Sequence, residues 1–211
     1  KLKTIKVLDP ACGSGAFPIG MLNRIVEILQ RLNAPGSKYN LKLQIMENCL
    51  YGGDLQTIAA QITKLRFFIS LVCDCKKTNN ADDNYGIPNL PNLETHFVSA
   101  DSLGTLENPK KLRFFEEDVI AIKDKLQEVR HKQFMAKTIY QKTKLRNRDK
   151  ELREELAKIL ESEHVIQSND ALKLVACNPY DQNSKADFFD PEWMFGIKDV
   201  FDIVIGNPPY K

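Results

Sequence analysis

Short apolar runs that stop at an acid or an amide recur along the chain. Thr4 to Leu8 leads into Asp9, Cys49 to Gly53 into Asp54, Thr95 to Val98 almost directly into Asp101, and Phe201 to Gly206 into Asn207. Short apolar runs bounded by turn formers are the mark of buried strands, and the segments that follow the first two step with a helical period. From Gly15 to about Leu32, the side chains Phe17, Met21, Ile25, Ile28, Leu29 and Leu32 fall three or four apart, predicting an amphipathic helix stopped by Asn33-Ala34-Pro35-Gly36-Ser37. Ile58 to Leu71 predicts a second helix, with Ile62, Leu65, Arg66, Phe68, Ile69 and Val72 mostly in the core. Residues 37–48 fit neither period cleanly and are expected to be loop with some helix; 76–93, rich in Asn, Asp, Pro and Gly, read as a surface loop. Strand and helix alternating in this way predict an α/β fold with about four parallel strands.

The alternation breaks between Pro109 and Cys177, where neither Gly nor Pro occurs. Leu112, Phe115, Val119, Ile122, Leu126 and Val129, then Leu145, Leu152, Leu156 and Ile159, keep the spacing of a coiled-coil seam. A crossover between neighbouring strands needs far fewer residues, so this stretch is an insertion: two antiparallel helices turning near 134–147, or one long bent helix. The chain divides into an α/β half over 1–107, a helical insertion over 108–165 and a closing segment over 166–211. In the last of these, Asn178-Pro179-Tyr180 has no clear apolar strand leading into it. Phe188 to Gly196 reads as a loop with aromatic anchors that covers the sheet edge or a pocket, Trp193 and Phe195 being buried.

Composition adds bounds. A chain of 211 residues, 43% hydrophobic, can bury one good core, as a single domain with an excursion. Thirty basic and 28 acidic side chains leave a net charge of +2, which argues neither for nor against nucleic acid. Their distribution is uneven. Arg130, Lys132, Lys137, Lys142, Lys144, Arg146 and Arg148 follow one another with no acid among them, a stripe able to contact phosphates or simply to face solvent. The five cysteines, at 12, 49, 73, 75 and 177, form no C-x-x-C pair and have no histidines at zinc spacing, so free thiols in a reducing cytoplasm, and no metal site, are expected. No run of about 18 apolar residues and no charged-then-apolar leader occurs, which leaves a membrane span and a signal peptide without support.

Candidate chemistry starts at Lys6-Val7-Leu8-Asp9-Pro10-Ala11-Cys12-Gly13-Ser14-Gly15-Ala16-Phe17. Glycines 13 and 15 let the main chain approach a ligand closely, and the amides from Ser14 onward stand at a helix N-terminus. Asp9 sits at a strand's carboxyl end, where open α/β sheets bind ligands. A carboxylate there suits an amine-bearing ligand better than a pyrophosphate. Ala16, Phe17 and Pro18 after Gly15 break the G-x-G-x-x-G spacing, which weakens a dinucleotide-dependent dehydrogenase. Asp54 is placed to accept from two vicinal ribose hydroxyls, and Asp101 is a third acid at a third strand end; each can equally be a turn aspartate.

Asp9 to Phe17 resembles the S-adenosylmethionine-binding motif of DNA adenine-N6 methyltransferases, and Asn207-Pro208-Pro209-Tyr210 resembles that family's catalytic motif, in the family's order. The resemblance implies a Rossmann-like S-adenosylmethionine-dependent methyltransferase fold, here partial, with the helical insertion outside the common core. It implies S-adenosyl-L-methionine as cofactor, bound by Asp9, Pro10, Ala11, Cys12, Gly13, Gly15, Phe17, Asp54, Leu55, Asp101 and Ser102, with Asp101 toward the adenine amino group. It assigns catalysis to Asn207, Pro208, Pro209 and Tyr210, acting on double-stranded DNA with one adenine flipped out. The N6 amine is a poor nucleophile because its lone pair is delocalised into the ring. The Asn207 side-chain oxygen and the Pro208 carbonyl can accept both N6 hydrogens and leave the lone pair aimed at the methyl group. The prolines stiffen the main chain, Tyr210 offers a face for the flipped base, and no general base is needed because the proton can leave after methyl transfer.

The 188–196 loop is similar to the segment preceding the catalytic motif in large bifunctional type II restriction-modification enzymes. That likeness implies nuclease and target-recognition domains in the same full-length chain, with a helix before residue 1 and further strands after Lys211. The piece by itself is accordingly expected to be inactive and to bind cofactor weakly. Protein-glutamine and RNA guanine-N2 methyltransferases share the terminal motif and stand as alternatives, as does a non-catalytic nucleic-acid-binding module. The Pro10-Ala11-Cys12 variant and the size of the insertion favour DNA adenine.

Overall fold

The structure is a computed structural model that describes residues 1–106, 117–162, 166, 168–197 and 200–207. Leu112 and Phe115 of the expected seam, and Pro208, Pro209 and Tyr210, lie outside the described residues. In chain order the elements are β1 (Val7–Asp9), α1 (Ala16–Arg31), α2 (Lys38–Asn48), β2 (Leu50–Asp54), α3 (Thr57–Val72), β3 (Phe97–Ser99), α4 (Glu117–Phe134), α5 (Ile139–Ser162), α6 (Ser168–Ala176), α7 (Pro191–Phe195) and β4 (Ile203–Val204). The strands form one parallel sheet in the order β3-β2-β1-β4, with Val7 opposite both Leu50 and Ile203. This is the expected α/β architecture, with strands shorter than the apolar runs that announced them.

Successive strand residues point to opposite faces, and the two faces carry separate cores. Val7, Leu50 and Phe97 pack with Leu22, Ile25, Ile45 and Phe67 of α1, α2 and α3. Leu8, Tyr51 and Val98 pack with Leu126, Leu156, Leu174 and Phe195 of α4, α5, α6 and α7. A sheet buried on both faces explains why its strands read as continuous apolar runs instead of alternating ones.

Three local expectations change. Residues 37–48 are a helix, α2, whose start is capped by Ser37 Oγ accepting the Asn40 amide at 3.2 Å. Its period is obscured because Lys42 lies on the buried side, donating to the carbonyl and hydroxyl of Ser70 at 3.0 and 2.7 Å. On α1 the buried stripe is Pro18, Leu22, Ile25, Val26 and Leu29, while Phe17 and Leu32 are exposed. On α3 the expected core side is largely reversed: Ile62, Leu65 and Ile69 are exposed, and Ala60, Thr63, Lys64, Phe67 and Leu71 face inward. This helix is apolar around most of its circumference, so a helical period fits two stripes. Packing chooses the one where Phe67 meets Phe97, ring centroids 4.7 Å apart, and Thr63 fills the space beside Gly15.

The insertion is the helical pair α4 and α5, joined through residues 135–138. Arg130, expected in the phosphate-contacting stripe, is buried inside it, which removes it from that role. Its Nε donates to Asp149 Oδ1 at 2.9 Å, and its Nη1 donates to the carbonyls of Trp193 and Met194 at 2.6 and 3.0 Å. Arg153 completes the cluster, donating to Asp149 Oδ2 at 2.8 Å and to the carbonyls of Val175 and Cys177. A guanidinium so far from water is tolerated because every fixed donor direction used here meets an oxygen.

The same cluster holds the chain that covers the sheet edge. Ala186 bridges to Ala100 beyond β3, exchanging backbone bonds with Ser99 and Asp101, and α7, capped by Asp190 on the Trp193 amide, buries Trp193 and Phe195. Among the described residues no helix is long and apolar enough to cross a membrane.

Candidate active site

Strand order places a topological switch between β1 and β4: from β1 the chain moves to β2 and β3 on one side, then returns to the other. At such a point the loops after two adjacent strands diverge and open a crevice. Here the two loops begin at Asp9 and at Gly206-Asn207. The sides face each other: a Cβ on Gly206 would lie 3.6 Å from Asp9 Oδ1, at van der Waals contact.

The turn after β1 is built by its own sequence. Gly13 and Gly15 have φ of +53° and +80°, conformations that side chains resist. The Gly15 amide donates to the Cys12 carbonyl at 2.7 Å, and the Cys12 amide donates to the Gly53 carbonyl at 2.9 Å, tying the turn to β2. Asp54 fastens it further: Oδ2 accepts the Gly13 amide at 2.8 Å and Oδ1 accepts the Gln56 amide at 2.9 Å. Each carboxylate oxygen keeps a second lone pair, so Asp54 can organise the turn and still accept from a ligand.

Asp9 is the electrostatically unusual member. It is 1% exposed; Oδ1 accepts the Ala11 amide at 3.2 Å, and Oδ2 is buried with no hydrogen-bond partner among the described residues. Burial pushes the carboxyl above its ordinary range; the Ala11 amide opposes this, and the nearby Asp54 charge adds to it. An orphaned buried acceptor awaiting a donor is what an ammonium-bearing ligand would satisfy.

A sign follows for stability. Because the folded-state pKa is raised, the ionised form costs stability above that pKa, and the cost fades as pH falls through it. Asp9→Asn is expected to raise the unfolding midpoint of the ligand-free chain near pH 8, with the advantage shrinking on acidification. Thermal unfolding at several pH values checks this; an advantage independent of pH would contradict it.

Other expected residues are placed less directly. Asp101 Oδ1 accepts the Leu103 amide at 3.0 Å, the turn-aspartate arrangement. Cys12 turns its thiol inward, 3.8 Å from Thr63 Oγ1, where burial pushes it up to about 12, so this residue offers the crevice only its backbone. Phe17, Leu55 and Ser102 are exposed, Ala11 lies at the surface, and Pro10 is half-buried. Lys132 and Arg148 pair with Glu128 and Glu151 on their own helices, and Arg146 pairs with Glu94. Among the described residues no group of three or more His, Cys, Asp or Glu side chains is arranged to hold a metal ion.

Three side chains at the site carry no sequence signal. Thr63, fully buried, donates from Oγ1 to the Gly13 carbonyl at 3.0 Å and occupies the space a Gly15 side chain would need, 2.8 Å away. Arg66 donates to the Ser14 carbonyl and hydroxyl at 3.0 and 3.1 Å. Phe189, brought in by the aromatic loop, lies over Gly53, its ring 3.1 Å from where a Cβ would stand. The first two come from the middle of a helix and the third from a segment 136 residues after Gly53 in the chain; only the fold brings them together.

Comparison with known proteins bears on these residues. Residues 48–211 match the family described as Eco57I restriction-modification methylase. Over 110 residues the chain is 41% identical to a protein of Methanocaldococcus jannaschii provisionally named a type II restriction enzyme and methyltransferase, covering 49% of this chain and 9% of that protein. Over 66 residues it is 30% identical to the adenine-specific methyltransferase PglX of Streptomyces coelicolor, covering 31% of this chain and 5% of that protein. The chain thus spans under a tenth of each of these relatives.

Proposed function

This chain belongs to the Eco57I restriction-modification methylase family, and on that premise we propose that it is the cofactor-binding and catalytic part of an enzyme that methylates adenine N6 in double-stranded DNA, with S-adenosyl-L-methionine as donor. The observation that carries the reading is the buried Asp9 carboxylate, one oxygen unsatisfied, facing Gly206 immediately before Asn207. An acceptor for the cofactor's ammonium and an amide for the target amine stand on adjacent strands.

The residues present fit the cofactor. Asp9 holds the ammonium, the left-handed Gly13 and Gly15 keep side chains out of the turn, and Asp54 accepts from the ribose hydroxyls. Phe189, over Gly53, walls the adenine side. When bound, S-adenosylmethionine supplies a methyl group on a positively charged sulfur. Asn207 then orients the target: its side-chain oxygen accepts one N6 hydrogen and, with the Pro208 carbonyl accepting the other, directs the nitrogen lone pair into the crevice. Tyr210 stacks on the flipped base. The name of the Streptomyces coelicolor relative supports adenine over glutamine or guanine.

In this reading the full-length protein also carries nuclease and target-recognition parts, and exposed lysines such as Lys137 and Lys144 touch backbone phosphates. The test uses the full-length enzyme with methyl-labelled cofactor and duplex DNA, followed by digestion to nucleosides. Label in N6-methyl-2′-deoxyadenosine is expected; an unlabelled DNA digest, with label transferred when RNA or a glutamine-bearing protein is offered in parallel, would overturn the proposal.

A further inference from the structure

On the far side of α3 from the glycine turn, a second recess is built from residues that the crevice does not use. It is a cleft of about 470 Å³ between α3, the 90–94 segment, the start of α5 and Pro179, Tyr180 and Gln182. Its volume falls within the range of small-molecule sites, roughly 300–1,000 Å³. None of Asp9, Gly13, Asp54, Asp101 or Asn207 lines it.

Its chemistry is polarised. Leu65, Phe68, Leu90 and Pro179 give apolar walls, while Lys64, Lys142 and Arg146 bring three cations against the single carboxylate of Glu94. Glu94 is engaged by Arg146 at 2.9 Å, and the same guanidinium lies 5.3 Å over the Tyr180 ring, fixing one wall. Lys64 is the decisive residue. The residue is 8% exposed, and its ammonium, which reaches solvent at the mouth of the cleft, makes no hydrogen bond among the described residues. Burial pulls its pKa down, with the Glu94 charge opposing. An ammonium partly stripped of water gains from an acceptor that a ligand brings into the cleft. Gln61 and Gln182 add amide groups at the same opening.

We propose that this cleft binds a nucleotide phosphate, with Lys64 as the inner contact, Lys142 and Arg146 as the outer ones, and the base against Phe68 and Pro179. A phosphate fits better than a carboxylate because its oxygens can accept from several cations converging from different elements. Pro179 and Tyr180 of the Asn178-Pro179-Tyr180 motif find their place here, as a wall of this cleft. The proposal does not rest on the methyl-transfer reading.

The same phosphate chemistry is found in a free nucleotide and in a nucleotide of a DNA strand, so the experiment has two arms. Adenosine and thymidine monophosphates, and separately a short single-stranded oligonucleotide, are titrated into the chain by calorimetry, with and without saturating S-adenosylhomocysteine. Binding in at least one arm is expected, with a dissociation constant of about 0.1 mM for a mononucleotide. Lys64→Met is expected to weaken it at least ~10-fold, and Lys142→Gln by a smaller factor. Since methionine removes a desolvated charge while keeping the aliphatic stem, the Lys64 variant folds at least as well as the parent, which its thermal midpoint verifies. Binding by the oligonucleotide alone assigns the cleft to a strand of nucleic acid; binding by the mononucleotides assigns it to a free nucleotide. No binding in either arm, binding abolished by S-adenosylhomocysteine, or binding untouched by both variants would each overturn the proposal.

Discussion

Asn207→Ala in the full-length enzyme is expected to lower kcat by about 10³-fold or more while leaving cofactor affinity within about threefold. The amide does nothing for the cofactor in this reading. Its oxygen holds one hydrogen of the target amine, so that the lone pair leaves ring conjugation and points at the electrophilic carbon. Alanine removes that acceptor without touching the glycine turn, Asp9 or Asp54. Asn207 is exposed, at the end of a two-residue edge strand, so its loss carries little folding cost. Single-turnover methyl transfer and equilibrium binding of S-adenosylhomocysteine, run in parallel, separate the two effects. Equal loss of both would place Asn207 in the cofactor pocket and refute its assigned role; unchanged kcat would remove Asn207 from the reaction.

The second large effect is on stability. Asp149→Ala is expected to cost about 3–5 kcal/mol, because it leaves two buried guanidiniums without their shared carboxylate. Arg130 and Arg153 are 6% and 2% exposed, and their remaining partners are neutral carbonyls. A surface pair such as Arg148 with Glu151 stands in contrast, being worth at most ~1 kcal/mol. Burial alone would raise the Asp149 carboxyl, but the charges of Arg130 and Arg153 outweigh it and hold the group below the ordinary carboxylate range. The stabilisation is therefore present above the unfolded-state pKa and is lost as pH falls through the lower folded-state value. Denaturant unfolding of the variant and the parent at neutral and acidic pH tests both points: the gap between them narrows as the medium becomes acidic. The loss passes to the edge-covering chain as well, since the same cluster grips the carbonyls of Cys177, Trp193 and Met194.

The acids at strand ends, the glycine turn and the helical insertion were all legible from order and spacing. Legibility failed where a side chain's use depends on another part of the chain. Arg130 stands in an acid-free basic run, which reads as a solvated stripe, yet its nearest acid in space is one helix away at Asp149. Thr63 has no motif, because its role exists only when the turn after β1 lies against it. Exposed Ile62 and buried Thr63 are neighbours on a helix whose apolar residues fit two phases equally well.

By itself the sequence determined the class of fold, the place of the long helical stretch and which residues stand at the strand ends. These depend on local matters: runs of apolar residues long enough for buried strands, glycines free to take positive φ, and the absence of helix breakers over a long stretch. The tertiary structure alone decided the phase of α3 and the burial of the Arg130 cluster. Each is a choice among alternatives with the same local free energy, and the difference comes from contacts between residues far apart in the chain. The approach of Gly206 to Asp9, across almost the whole sequence, is one such contact, and it joins two loops into one crevice.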